Sequence, residues 1–220
     1  MTLHELQNRI AARRLLSAAI IDDVEHAVPL ARALLAGGLD VMEVTFRNAH
    51  AAECVRRIRA EVPAMTVGAG TLLSGAQVEE ARAAGAQFGV SPGFNPRVVR
   101  WAVEKAFPFI PGVITPGEME QALEAGCPWV KFFPAAAAGG VEFLKAVAGP
   151  YAHTPLRLIP LGGVSEANMA DYLALPIVAA VGGSWLTDRK LAAGGRWGDI
   201  TDITRRSLER ARPAGKAAAP

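Results

Sequence analysis

A chain of 220 residues, 51% apolar and 20% charged, is long enough to bury one sizeable core, and a barrel of roughly 200 to 250 residues is an ordinary use of that length. Its 23 Lys and Arg against 21 Asp and Glu leave a net charge of +2, with no single-sign surplus to draw the protein to nucleic acid or an anionic membrane surface. Cys54 and Cys127 lack the CxxC or Cys/His spacing of a redox pair or a zinc site, so both are expected to be reduced bystanders.

The opening MTLHELQNRIAAR reads as a short amphipathic helix. The apolar LLSAAII after it ends at Asp22 and Asp23, far short of the about 20 residues that span a bilayer, and acidic residues follow where a signal peptide would carry small ones. No membrane segment is expected, and the cytoplasm is the expected compartment. From there, short apolar runs alternate with amphipathic stretches, as in successive βα units around a parallel sheet. The runs are Leu15 to Ile21, Val41 to Phe46, Thr66 to Ala69, Phe88 to Ser91, Phe109 to Pro111, Trp129 to Phe133, Leu156 to Pro160 and Val178 to Gly182. Helix-length segments such as Val24 to Leu35, Ala49 to Val62, Gly75 to Ala84 and Pro96 to Lys105 lie between them. Gly37, Gly85 and Gly126 stand where a left-handed residue would stop a helix before the next strand. Parallel strands of this number can close into a (β/α)₈ TIM barrel, which removes the exposed edges of an open sheet; an open doubly wound sheet is the competing architecture. One domain over residues 1–211 is expected, with a disordered Ala-, Pro- and Gly-rich tail over 212–220.

Barrel chemistry sits at the C-terminal ends of the strands. In VMEVTFRN, Glu43, Thr45 and Arg47 share one face by period-two alternation and Met42, Val44 and Phe46 the other, which points Glu43 and Arg47 into the barrel mouth. A buried carboxylate and guanidinium need partners, and these two can be partners for one another. Lys131 in WVKFFPA lies between Val130 and Phe132, where loss of water disfavours a charged amine and a neutral one can attack a ketone; a snorkelling or ion-paired lysine reads the same way. Gly162–Gly163 and Gly182–Gly183–Ser184 end neighbouring strands where barrels hold phosphate, although a glycine pair can be only a turn. GAGT, Gly68 to Thr71, either admits a carboxylate to Thr71 or makes a capped turn. SPGF and IPG shape the mouth. The four histidines share no spacing and read as surface or structural, and no HxH or HExxH cluster is present.

Taken in order, EVTFR, GAGT, SPGF, IPG, KFFPA, GGV and GGSW resemble the 2-keto-3-deoxy-6-phosphogluconate/4-hydroxy-2-oxoglutarate aldolase family from about Leu15 to Ile203. The resemblance implies a class I aldolase on a (β/α)₈ barrel, a homotrimer without cofactor or catalytic metal, whose small-molecule partners are a keto-acid sugar phosphate and pyruvate. It implies Lys131 as the Schiff-base lysine, Glu43 as general acid/base, Arg47 and Thr71 on the pyruvate carboxylate, and Gly162, Gly163, Gly183 and Ser184 at the phosphate. Pro92 and Phe133 complete the expected substrate-binding set with Leu161. Leu161, Ala136 and Ile20 depart from the family pattern, which has threonine at the first position in many relatives, often glutamate at the second and in some an arginine at the third. A 2-keto acid lyase or decarboxylase using the same iminium, and a non-catalytic phosphate-binding barrel, remain as alternatives.

Overall fold

The computed structural model describes residues 1–212, so the tail expected to be disordered lies, past Arg212, outside the described residues. The chain opens with α1 (Leu3–Arg13), whose Thr2 cap accepts a hydrogen bond from the Glu5 N–H while the Glu5 side chain accepts one from the Thr2 N–H. Leu6 and Ile10 fall on one face and are fully buried, which makes α1 a plug on the core.

Parallel pairing then builds the interior. One ladder holds β1 (Leu15–Ala19), β2 (Val41–Thr45), β3 (Thr66–Gly70), β4 (Gly89–Val90), β5 (Phe109–Ile110) and, on the far side of β1, β9 (Val181–Gly183). A second ladder holds β6 (Gly112–Val113), β7 (Trp129–Phe132) and β8 (Arg157–Pro160). Between the strands run α2 (Ala27–Ala36), α3 (Ala51–Glu61), α4 (Gly75–Ala83), α5 (Pro96–Glu104), α6 (Pro116–Glu124), α7 (Gly140–Tyr151) and α8 (Met169–Leu173), and α9 (Arg189–Ala193) and α10 (Trp197–Ala211) follow the last strand. The fold is thus parallel α/β with a curled sheet. The described ladders do not form the single closed ring expected from the alternation.

The break has a physical cause. Pro111 has no N–H to give toward β7, although its carbonyl accepts from the Lys131 N–H at 2.8 Å, so the run from Phe109 divides around it into β5, paired with β4, and β6, paired with β7. A Cβ at Gly112 would strike the Pro92 backbone, so these two strand-end motifs are locked together. On the other side, Leu158 forms an isolated parallel bridge to Val178, and the Ala179 N–H donates to the Leu158 carbonyl at 3.0 Å.

The helices keep the expected order with shifted edges. Val24 to His26 form a 3₁₀ turn before α2 rather than its first turn. The left-handed residue after α2 is Gly38 (φ 99°), not Gly37, which is right-handed and lies so close to α10 that a Cβ would stand 2.6 Å from Thr204. Gly85 and Gly126 are left-handed as expected. Among the described residues no helix is long and apolar enough to cross a membrane.

Candidate active site

Alternation along β2 decides what enters the interior. Glu43 is opposite Ala18 on one neighbour and Gly68 on the other, while Met42 and Val44 are buried on the reverse face. The small residues flanking Glu43 give it room. A Cβ on Gly70 would collide with the Glu43 carboxylate, which gives the last glycine of GAGT a purpose beyond turning the chain. Lys131 comes from β7 in the other ladder, fixed by pairing to Gly112 and Ile159.

The two meet. Lys131 Nζ donates to Glu43 Oε1 at 3.4 Å, with Glu43 fully buried and Lys131 4% exposed. The ammonium also lies 5.1 Å from the centre of the Phe133 ring. The second carboxylate oxygen, Glu43 Oε2, is buried with no hydrogen-bond partner, as is Thr45 Oγ1 two residues on. Ala18, Ile20, Glu43, Thr45, Arg47, Lys131, Phe133, Leu161, Gly162, Gly183 and Ser184 enclose a cavity of about 200 Å³.

Arg47 departs from the simple alternation. β2 ends at Thr45, the Arg47 N–H folds back onto the Thr45 carbonyl at 2.9 Å, and its side chain is exposed at the rim. Its Nε donates to Thr71 Oγ1 at 3.2 Å, so Arg47 and Glu43 are not partners. Thr71 is one of three non-glycine residues at positive φ (61°) among the described residues, a conformation that costs energy and is held here by its surroundings. Thr71 does not cap α4; Ser74 does, accepting from the Gln77 N–H.

Of the expected site residues, Lys131, Glu43, Arg47, Phe133, Leu161, Gly162, Gly183 and Ser184 line one cavity, and Thr71 joins through Arg47. Pro92 and Gly163 do not line it. Pro92 sits against Gly112, and Gly163, with φ 81°, sits against Ala136. Ala18 and Thr45 also line the cavity; alternation places Thr45 on the face of Glu43 but gives it no expected role, and no signal in the sequence marks Ala18.

The family model for KDPG and KHG aldolases matches residues 6–203. The chain belongs to the KDPG and KHG aldolase family. Within that family it is 44% identical over 209 residues to the 2-dehydro-3-deoxy-phosphogluconate aldolase of Treponema pallidum (strain Nichols), covering 95% of this chain and 97% of the relative. It is 44% identical over 193 residues to the KHG/KDPG aldolase of Escherichia coli (strain K12), covering 88% and 90%. Among solved structures it is similar to KDPG aldolase from Legionella pneumophila, with pyruvate captured at low pH as a covalent carbinolamine intermediate. The TM-score is 0.87 and the identity 37%, over 90% of this chain and 96% of that one.

Other reactive groups in this aldolase-family chain stand apart. Both cysteines are free, and burial pushes each thiol up to about 11, which leaves little nucleophilic thiolate. Among the described residues no three His, Cys, Asp or Glu side chains cluster as metal ligands.

Proposed function

We propose that this chain is a carbon–carbon lyase that cleaves 2-keto-3-deoxy-6-phosphogluconate to pyruvate and glyceraldehyde 3-phosphate through a Schiff base on Lys131. 4-Hydroxy-2-oxoglutarate, giving pyruvate and glyoxylate, is the close second substrate. The observation that carries the reading is the buried contact of Lys131 Nζ with Glu43 Oε1 on the cavity wall. Moving a proton from amine to carboxylate leaves a neutral nucleophile beside a carboxylic acid without changing the charge of the cavity. The amine attacks the C2 ketone, and the carbinolamine loses water to an iminium. The iminium then accepts the electrons of the C3–C4 bond as the C4 hydroxyl gives its proton to Glu43. After the aldehyde leaves, Glu43 returns the proton to the enamine carbon, and hydrolysis frees pyruvate.

Arg47, with Thr71 behind it, supplies a planar cation at the rim for the substrate carboxylate, which sets the ketone beside Lys131. Gly162, Gly183 and Ser184 also line the cavity, and their backbone N–H groups suit a phosphate, with Gly163 shaping the turn beside them. Two features support one closed eight-stranded barrel over a domain of residues 1–211. Pro111 joins the two ladders covalently on one side, and the Leu158–Val178 bridge spans them on the other. A homotrimer and a cytoplasmic location complete the proposal; the exposed Leu73, Val103 and Ile114 offer apolar surface for self-association.

Borohydride reduction in the presence of pyruvate tests the chemistry. One pyruvate-derived adduct should appear on Lys131, and Lys131→Ala should lose both adduct and cleavage. An adduct elsewhere, or cleavage above about a hundredth of the parent rate, equivalent to less than ~2.7 kcal/mol of lost barrier reduction, overturns the assignment.

A further inference from the structure

Thr45 is polar, 4% exposed and on the cavity wall, yet its hydroxyl has no hydrogen-bond partner. The neighbouring inward position on the same strand, Glu43, is fully buried and keeps Oε2 unpartnered while Oε1 faces Lys131. Residues i and i+2 of a strand lie about 6 to 7 Å apart at Cα on one face, and one water can bridge the oxygens such side chains carry. Gly70, opposite Thr45 in the ladder, keeps the space beside the carboxylate clear. A β-branched residue suits a strand whatever its polarity, but a valine would serve that purpose without leaving a hydroxyl in an apolar wall.

We propose that Thr45 is a positioning residue whose hydroxyl, together with Glu43 Oε2, holds the water expelled when the iminium forms and, after exchange with solvent, the water that adds when the product iminium is hydrolysed. The inference rests on the Schiff-base reading above. In the forward step the carbinolamine C–O bond breaks, the leaving hydroxyl takes the proton of the Glu43 carboxylic acid, and the nitrogen lone pair becomes the second bond of the iminium. The products are water, a carboxylate and a cationic iminium, so protons and charge balance. In the reverse step a water at the same place adds to the iminium carbon and gives a proton to Glu43. Thr45 donates to or accepts from that water and forms no bond to substrate.

The test compares Thr45→Val with Thr45→Ser. The readouts are the rate of borohydride trapping with pyruvate and the rate at which the pyruvate keto oxygen exchanges with oxygen-labelled water. Valine should slow both by about tenfold or more, the loss of one hydrogen bond in the transition state, while KM for pyruvate changes little. Serine, which keeps the hydroxyl, should return both to within about threefold of the parent. Valine within about twofold of the parent, or serine no better than valine, overturns the proposal and leaves Thr45 a packing residue. Should the valine variant fail to fold, Thr45→Ser against Thr45→Ala makes the same comparison, since only serine keeps the hydroxyl. A parent protein that traps no pyruvate at all would instead count against the Schiff-base reading itself.

Discussion

β2 carries one acidic residue at its centre and follows directly on another, and the two carboxylates live differently. Asp40, just before the strand, accepts at Oδ1 from Arg13 Nε at 2.8 Å and at Oδ2 from Arg9, so both of its oxygens are engaged at a half-buried site. Glu43, three residues on, is fully buried, shares one oxygen with Lys131 and leaves the other unpartnered. A satisfied ion pair ties α1 to the sheet and asks nothing more. An unsatisfied carboxylate in an apolar wall is costly, and a fold that keeps one keeps it for the ligand that completes it. Position agrees in direction: Asp40 precedes the strand at its N-terminal end, the end associated with stability in parallel α/β barrels, while Glu43 stands mid-strand, nearer than Asp40 to the C-terminal end, the end associated with chemistry.

Glu43→Gln breaks the comparison at its reactive end and should have the largest effect. The amide keeps the shape but neither accepts nor delivers the proton, so turnover should fall about 10²- to 10⁴-fold, the range for loss of a general acid/base. Pyruvate should still form an adduct on Lys131, more slowly, while exchange of its methyl protons with deuterated water should nearly stop. Undiminished proton exchange would move the base to another group.

How much of this contrast is legible in the sequence depends on the range of the contact. Alternation within five residues of β2 is local, and it places Glu43 on the interior face without further information. Its partner is 88 residues away, and the sequence leaves Arg47 and Lys131 equally available to it. The partnership of Arg47 with Glu43 does not form because the strand stops at Thr45 and the chain folds back, leaving Arg47 on the cavity rim with Thr71, a loop event that period-two patterning does not foresee. Pro111 carries a readable signal, since a residue without an N–H weakens a ladder; which strand pairs with the residues around it is set by contacts distant in sequence. Gly38 rather than Gly37 is left-handed because α2 runs one residue further than expected, to Ala36, while the demand for glycine at Gly37 comes from Thr204 on α10, distant in sequence.

Leu161 sharpens the comparison from the apolar side. It is 3% exposed and lines the same cavity as the ion pair, so Leu161→Thr would set a hydroxyl on the wall with a substrate hydroxyl as its natural partner. A site that pairs a hydroxyl rejects its misplacement better than an apolar wall does. The variant should gain preference for the gluconate over the galactonate epimer by about fivefold to tenfold in the ratio of kcat/KM, the scale of one net hydrogen bond of roughly 1 kcal/mol. An unchanged ratio in a fully folded variant would show that this wall gives shape alone.

Asp40→Asn probes the satisfied end, and its effect should be the smallest. Burial pushes the Asp40 carboxyl up, but the hydrogen bond from Arg13 and the charges of Arg13 and Arg9 outweigh it and hold the group below the usual carboxylate value. A carboxyl lowered on folding binds its proton less readily folded than unfolded. Its contribution is therefore complete above the ordinary range of about 4 and lost as pH falls through the lower, folded value. Both arginines are more than a third exposed, so screening limits the contribution to about 0.5–1 kcal/mol at neutral pH. Asparagine keeps the size and one acceptor but loses the charge. Urea unfolding at pH 7 should show that small deficit, and repeating it at successively lower pH should bring parent and variant together as the parent carboxyl takes up its proton. Cleavage activity per folded molecule should not change at any of these values. A stability gap that persists in acid would mean that the loss lies in hydrogen-bond geometry rather than charge, and a fall in turnover would mean that the two ends of β2 are coupled.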